Sequence, residues 1–497
     1  MPTRPIRIAL LALTLVLSTP RALDSATEKN DKQAAIESNV VKIFVQSNPP
    51  DLFSPWQKAG VESSTGSGVI LDGERILTAA HVIEDAVSIE VKRAGGAERF
   101  SATLLHVGHA CDLALLKVDD PAFFKGVSPL KLGEMPEAHQ EVQAYGFPVG
   151  GESLSVTSGI ISRIEINNYV HSWEDLLLAQ IDAAINEGNS GGPVMADGLA
   201  GIAVQSLNEA ESVGYMIPVA IIDHFLDDVA DGRFDGFPAL GVEIQDLESE
   251  PLRQSLGMKD KQGGVLITRV DHGSPASGVL KPGDVLLSVD GKEIASDTTI
   301  EWPRIGRVAF THMIKSRQIG DRVKVSLLRD GKTIRGEMVL TPHTHLVPGR
   351  RIDDPEYLVF SGLVFQPLTI DYLVEFEDIP YALANYAIYQ NVVTQERAQV
   401  IMVQKVLPHT TNRGYHDWDD EVLATVNGTI PQDMQHLARI IDEATGPWLK
   451  ITTDTGEVLT LDLKQAREAQ PTILDNFGIA HDRSAGLRSG VVAEAGR

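Results

Sequence analysis

Between about residues 36 and 225 the chain alternates short apolar runs with polar or Gly/Pro-marked breaks. VVKIFVQ (40–46), GSGVILDG (66–73), RILTAAHVI (75–83), SIEVKR (88–93), DLALLKV (112–118), EVQAYGFP (141–148), LAGIAVQSL (199–207) and VGYMIP (213–218) are each the length of one strand. Period-two alternation bounded by turn residues predicts β-structure, and so many short strands at close spacing predict a barrel or sandwich. PVAIIDHFLDDVA (218–230) carries its apolar residues at helical spacing and predicts a closing helix. The polar, glycine-bearing DGRFDGFP (231–238) reads as a linker.

Two further units follow, from near Leu240 and near Tyr357. They share an order: a strand, a second strand ending V-L, V-L-x-x-V-[DN]-G, a helix, then a hairpin. VLLSVDG (285–291) and VLATVNG (422–428) mark the repeat, and a repeated module is the economical reading. The last thirty or so residues read as a polar tail. A length of 497 residues suits about three domains of ~150 residues. The boundaries expected are 1–26, a signal peptide; 27–235, the β-rich domain; 236–345 and 355–470, the two modules; and 471–497, the tail.

Composition narrows the function classes. Hydrophobic residues make up 43% and charged residues 22%, as in ordinary globular proteins. A net charge of −25 argues against nucleic acid, whose phosphates need a positive footprint. The single cysteine, Cys111, excludes an intramolecular disulfide and paired-thiolate metal sites. Arg4 and Arg7 precede IALLALTLVL (8–17) and then small residues, the order of a secretory signal peptide. The run is short for a bilayer span, so a membrane association follows only if the segment stays uncleaved. Export without disulfides points to a periplasmic or secreted protein.

The chemistry concentrates at GNSGG (188–192). Gly188, Asn189, Ser190, Gly191 and Gly192 directly follow an apolar run, and glycines so placed indicate unusual dihedrals or a close approach. A turn between strands would account for them. A serine nucleophile whose turn amides face an oxyanion would do so with more consequence. Such a serine needs a base and an orienting acid. His81 sits in LTAAHVIED among small alanines, and Asp112 opens the apolar DLALLKV, where a buried charge needs a partner. Each alone is a common turn or strand-start residue. Together, at strand ends and separated by 31 and 78 residues, they suit two barrels with the first pair on one and the serine on the other.

TAAHV, CDLALL, GNSGGP, TGSGVI and GFPVG resemble the HtrA/Deg family of trypsin-like serine proteases, and the likeness covers nearly the whole chain. GGVLITRV…LKPGDVLLSVDGKEI resembles a PDZ domain, and the third unit, with SGLVFQPL, resembles the second PDZ of plant-type Deg proteases. The resemblance implies a mainly β fold: a double β-barrel followed by two PDZ domains. It implies Ser190 as nucleophile, His81 as base, Asp112 as its orienting acid, and an oxyanion hole from Gly188 and Ser190 with Asn189 between them. The position of the pocket floor falls on Ala184, and Ile185, Leu207 and Val213 would form a small apolar pocket preferring Val, Ile, Ala or Leu. Leu240, Gly241 and Val242 in FPALGV stand where the family's carboxylate-binding loop lies, implying capture of peptide C-termini. Phe44, Phe53 and Trp56 flank the protease domain where the family's trimer contacts lie, although they could equally be core.

The activity expected is an ATP-independent endopeptidase of unfolded or misfolded proteins, without cofactor, in a homotrimer or a multiple of it. The rival readings are a PDZ-based chaperone with latent proteolysis and a small-ester acyl hydrolase; the PDZ modules and the absence of a G-x-S-x-G elbow directly after a strand count against the latter. His343 with His345 and His106 with His109 lack carboxylate or thiolate partners at ligand spacing, so no metal is expected. SRIEINNYVHSWED (162–175) is expected to relay PDZ occupancy to the active site.

Overall fold

A computed structural model describes residues 32–204, 214–342, 344–349 and 354–489. The leader expected within residues 1–26 lies outside them, as do Leu207, Val213 and His343.

The first domain is two closed six-stranded antiparallel barrels. Barrel one contains β1 (Val40–Ser47), β2 (Glu62–Leu71), β3 (Arg75–Thr78), β4 (Ala86–Arg93), β5 (Phe100–Gly108) and β6 (Leu113–Val118). Barrel two contains β7 (Glu141–Gly146), β8 (Ser155–Asn168), β9 (Asp175–Ile181), β10 (Pro193–Met195), β11 (Leu199–Val204) and β12 (Gly214–Pro218). Both close in the same spatial pattern: β1-β2-β3-β6-β5-β4, and β10-β11-β12-β9-β8-β7 read from the other end. Closure leaves no free sheet edge and places Ile43, Ile70, Ile76, Leu116 and Val91 on one face, all fully buried.

Four strands lie outside the runs read from the sequence: β5, β8, β9 and the short β10. β5 reads FSATLLHVG with a broken alternation, because its register shifts between Leu104 and His106. β8 is long and mostly half-exposed, and with β9 forms a hairpin whose tip spans 169–174. The relay segment 162–175 is thus the end of β8 and its turn.

Helix α1 (Val219–Asp228) follows β12 and buries Ile221, Ile222 and Phe225. Residues 231–238 are a packed elbow rather than a loose linker. Phe237 stacks on His224 with centroids 4.2 Å apart, and Phe234 meets Phe225 at 5.7 Å. The Asp228 carboxylate accepts the amides of Asp235 and Gly236 at 3.0 and 2.9 Å. One continuous hydrophobic core therefore runs from the barrels into the second unit.

The second unit is an antiparallel sheet in the order Val242–Gln245, Val265–Val270, Val285–Val289, Arg322–Arg329, Lys332–Val339, with the helix Thr311–Lys315 beside it. The third is a six-stranded sheet in chain order from Leu358–Phe360 to Val458–Asp462, with helices Met434–Asp442 and Leu463–Asn476. The expected tail is corrected as far as residue 489. Ile473, Ile479 and Leu487 are buried, Val359 donates its amide to Asp482 at 2.6 Å, and Ser484 donates to Tyr357 at 3.0 Å. Three widely spaced apolar anchors suffice to fix this segment, and their sparseness makes it read as polar.

The aromatics flanking the first domain serve within the chain. Phe53 packs on Tyr372 and Phe376 at 5.3 and 5.6 Å, and Trp56 meets Tyr357 at 6.1 Å, docking the third unit on the protease. Phe44 lies under the Arg99 guanidinium at 3.6 Å.

Candidate active site

β3 ends at Thr78 and passes into a single 3-10 turn, Ala80–Val82, which carries His81. β5 ends in a matching turn, His109–Cys111, and Asp112 follows with a left-handed φ of 53° before β6 begins. Ala80 donates its amide to the Asp112 carbonyl at 3.1 Å, so the two turns are joined by backbone. Asp112 then presents both oxygens to one residue: Oδ1 accepts the His81 amide at 2.9 Å and Oδ2 meets His81 Nδ1 at 2.7 Å. The aspartate is 5% exposed, while the imidazole retains solvent access.

This geometry sets the charges. Burial opposes a charged His81 ring, but the Asp112 charge and hydrogen bond, with a contribution from Glu84, outweigh it and raise the pKa above the ordinary 6.5. Burial would raise Asp112, but the charges of His81 and His171 and the hydrogen bonds from His81 hold it below 3.8. The pair is therefore an anionic carboxylate holding Nδ1–H and leaving Nε2 as the base. Burial, with the Asp112 charge, pushes the neighbouring Cys111 thiol far up, so it packs as a small hydrophobe.

The serine turn is fixed from barrel one. Ser67 on β2 donates its amide to the Ser190 carbonyl at 2.9 Å and its hydroxyl to the Gly188 carbonyl at 2.8 Å. The same hydroxyl accepts the Phe147 amide at 2.8 Å, and Thr78 donates to the Ser67 carbonyl at 2.7 Å. The turn thereby lies against the strand that ends one residue before Ala79 and leads to His81.

The glycines answer to contact. Gly188 has φ +91°, and a Cβ there would lie 2.5 Å from the Phe147 carbonyl oxygen. At Gly191, φ +83°, a Cβ would lie 2.2 Å from both the Ser67 carbonyl oxygen and Thr78 Oγ1. The Asn189 amide donates to the Asn186 carbonyl at 2.9 Å, which takes it out of the oxyanion set in which the sequence had placed it. The amides of Gly188 and Ser190 donate to no acceptor among the described residues. Asn189 is buried beneath the turn, against Gly146.

The pocket residues are only partly described. Ala184 is exposed, with its carbonyl accepting the Thr157 hydroxyl at 2.9 Å. Ile185 is half-buried and fills the space over Gly214, where a Cβ would come within 2.7 Å of it. In the second unit, Leu240, Gly241 and Val242 line a cavity of about 380 Å3 with Phe310, Ile314 and Lys315. Gly241 has φ +66°, and its carbonyl accepts the Asp271 amide at 2.9 Å and the Ser274 hydroxyl at 3.2 Å.

Two groups escaped the sequence. Ser67 had no signal beyond its place in TGSGVI. Among the described residues, Glu84, His109 and His171 come together as a group able to hold a metal ion, although they are 25 and 62 residues apart. The expectation of no metal rested on neighbours in sequence, and these neighbours come from three separate turns.

Comparison with known proteins fits this architecture. A trypsin-like peptidase domain matches residues 66–202, and PDZ domains match residues 238–338 and 347–486. Protease Do-like 2, chloroplastic, of Arabidopsis thaliana is 37% identical over 464 residues, 91% of this chain and 76% of that protein. The chain belongs to the HtrA/Do-like family of serine proteases. Protease Do-like 4, mitochondrial, from the same plant is 32% identical over 459 residues, 92% of this chain and 86% of that one. A serine-to-alanine variant of the HtrA-type protease AlgW, solved with a decapeptide, matches 63% of this chain and 96% of its own at 25% identity and TM-score 0.50. The HtrA/Do-like assignment, with likeness to the plant Deg proteases, makes this chain a serine protease of protein substrates that carries two PDZ domains.

Proposed function

We propose that this protease is an ATP-independent endopeptidase of protein quality control, cleaving unfolded or damaged proteins after small and medium apolar residues. The observation that carries the mechanism is the Asp112–His81 pair at 2.7 Å beside a serine turn that offers the Gly188 and Ser190 amides. Ser190 Oγ attacks the scissile carbonyl as His81 Nε2 takes its proton. The oxyanion forms against the amides of Gly188 and Ser190. His81 then protonates the leaving amine, and Asp112 holds the ring's tautomer and stabilises the imidazolium. Water deacylates Ser190 by the same route.

Ala184 at the pocket floor brings no acid to recognise Lys or Arg, and Ile185 supplies an apolar wall; Leu207 and Val213 are proposed to complete it. One methylene in such a pocket discriminates by only ~1–3 kcal/mol, which gives broad selectivity. The first PDZ is proposed to take substrate C-termini by strand addition to Val242–Gln245, an edge strand facing the helix Thr311–Lys315 across the 380 Å3 cavity. Export, on the basic, apolar and small-residue order of the N-terminal segment, and assembly as a trimer, on the family resemblance, complete the proposal.

Digestion of reduced, unfolded casein, with product ends mapped by mass spectrometry, tests the reading. Termini after Val, Ile, Ala and Leu, absent with Ser190→Ala, are expected. Cleavage after Lys or Arg would overturn the pocket assignment. No cleavage, with client aggregation still suppressed, would favour a PDZ-based chaperone.

A further inference from the structure

Three turns meet beside His81, whose ring centroid is 6.1 Å from that of His171. Glu84 leaves the turn that carries His81, His109 opens the turn that ends at Asp112, and His171 stands at the tip of the β8–β9 hairpin. One ligand atom of each lies within 4.8 Å of the others, and all three residues are half-buried, so solvent reaches them. His109 Nδ1 and His171 Nε2 face each other at 2.9 Å, with ring centroids 5.1 Å apart. Glu84 and His109 also line a cavity of about 360 Å3 with Ile83, Val87 and Leu104, which gives an entry path.

We propose that Glu84, His109 and His171 form a binding site for a divalent transition-metal cation of the zinc class. Two imidazoles and one carboxylate suit zinc or cobalt, whereas calcium and magnesium require oxygen ligands throughout. Tetrahedral zinc with Zn–N near 2.0–2.1 Å places two ligating nitrogens about 3.3 Å apart, so the imidazoles need part by only about 0.4 Å. Three protein ligands leave the fourth position to water.

The consequence is mechanical. Glu84 and His109 belong to barrel one and His171 to barrel two. A bound ion therefore staples the hairpin tip to the two turns that carry His81 and Asp112. The His171 ring centroid is 6.1 Å from that of His81, so the staple closes immediately beside the catalytic pair.

The full chain carrying Ser190→Ala, which removes self-digestion, is titrated with Co2+ and followed by visible absorption. One equivalent is expected to bind, with the d–d bands of four-coordinate cobalt, bleached by zinc, and with a rise in the thermal transition. Glu84→Gln and His171→Gln, each added to that background, are expected to weaken cobalt binding at least tenfold while melting as the parent does without metal. His81→Ala is expected to leave binding intact. The proposal fails if no cobalt binds, or if Glu84→Gln and His171→Gln bind as the parent does. It fails equally if His81→Ala abolishes binding, which would place the ion on the catalytic pair. Should His171→Gln not fold, Glu84→Gln alone decides.

Discussion

At Gly188 the backbone takes φ +91° and a Cβ would lie 2.5 Å from the Phe147 carbonyl oxygen, so the amide proposed to meet the oxyanion depends on the absence of a side chain. Gly188→Ala is expected to lower kcat by about 10²–10³, the scale of losing one oxyanion donor, with a smaller change in KM. Steady-state kinetics on an unfolded substrate would show it. The Ser67 hydroxyl ties the same turn to Phe147, donating to the Gly188 carbonyl and accepting the Phe147 amide, and a lost buried bond costs about 1–3 kcal/mol, or roughly 10–100-fold in rate. Ser67→Ala should therefore reduce kcat within that range and leave substrate binding nearly unchanged. His81 acts as a base only when neutral, and its pKa is raised above 6.5. Activity should thus fall as pH drops through a midpoint above 6.5, measured as kcat/KM against pH. A midpoint below 6.5 would contradict the Asp112 pairing.

The residues of the proposed triad stood out because GNSGGP, TAAHV and DLALL lie at strand ends that the alternation pattern marks. Ser67 and the Glu84–His109–His171 group were not legible, since their partners are set by barrel closure and not by local spacing. The Asn189 amide illustrates the limit from the other side. Its position between two donors is visible in sequence, but its turn back to Asn186 is a matter of dihedral angles.

The two PDZ units show what an element-level repeat preserves. Asp290-Gly291 and Asn427-Gly428 both turn with paired positive φ: 46° and 79°, then 49° and 79°. The Asp290 carboxylate accepts the Lys324 amide at 2.8 Å, and the Asn427 amide oxygen accepts that of Lys450 at 2.9 Å. The reciprocal backbone bonds, from Asp290 to Lys324 and Asn427 to Lys450, are 2.7 Å in each. The repeat V-L-x-x-V-[DN]-G was thus readable because a left-handed turn with a side-chain clamp admits only Asp or Asn before Gly. Strands without such punctuation, β5 and β8, were missed. Within the first PDZ, Asp284 is 2% exposed and takes two bonds of 2.7 Å from Arg329. Asp284→Ala removes both bonds to Arg329, which keeps the Val279 carbonyl, and the acceptor of the Lys281 amide, and is expected to destabilise this unit by about 1–3 kcal/mol. Chemical denaturation followed by Trp302 fluorescence would resolve it.

Across the whole molecule, the hairpin tip is where three parts meet. Lys315, on the helix lining the first PDZ cavity, pairs with Glu174 at 2.8 Å, and both are largely buried. Arg304 of the same PDZ donates to the Met135 carbonyl at 3.0 Å in the protease domain. Occupancy of the cavity can thus reach the hairpin through one ion pair. Lys315→Met should blunt the response of peptide hydrolysis to an added C-terminal peptide while leaving basal hydrolysis within about twofold. An undiminished response would place the coupling elsewhere. Domain order was legible in the sequence from composition and repeat. Docking was not, because Phe53, Trp56, Phe234 and Phe237 look alike whether they fill a core or seal a junction.

The central claim is that Ser190 is a nucleophile activated by the Asp112–His81 pair. Treatment of the full chain with a fluorophosphonate, followed by peptide mass mapping, tests it most directly. A single adduct on Ser190, formed with loss of fluoride and suppressed in His81→Ala, is the result predicted. Hydrolysis of casein by a preparation whose Ser190 stays unlabelled, or an adduct on another serine that tracks inactivation, would contradict it.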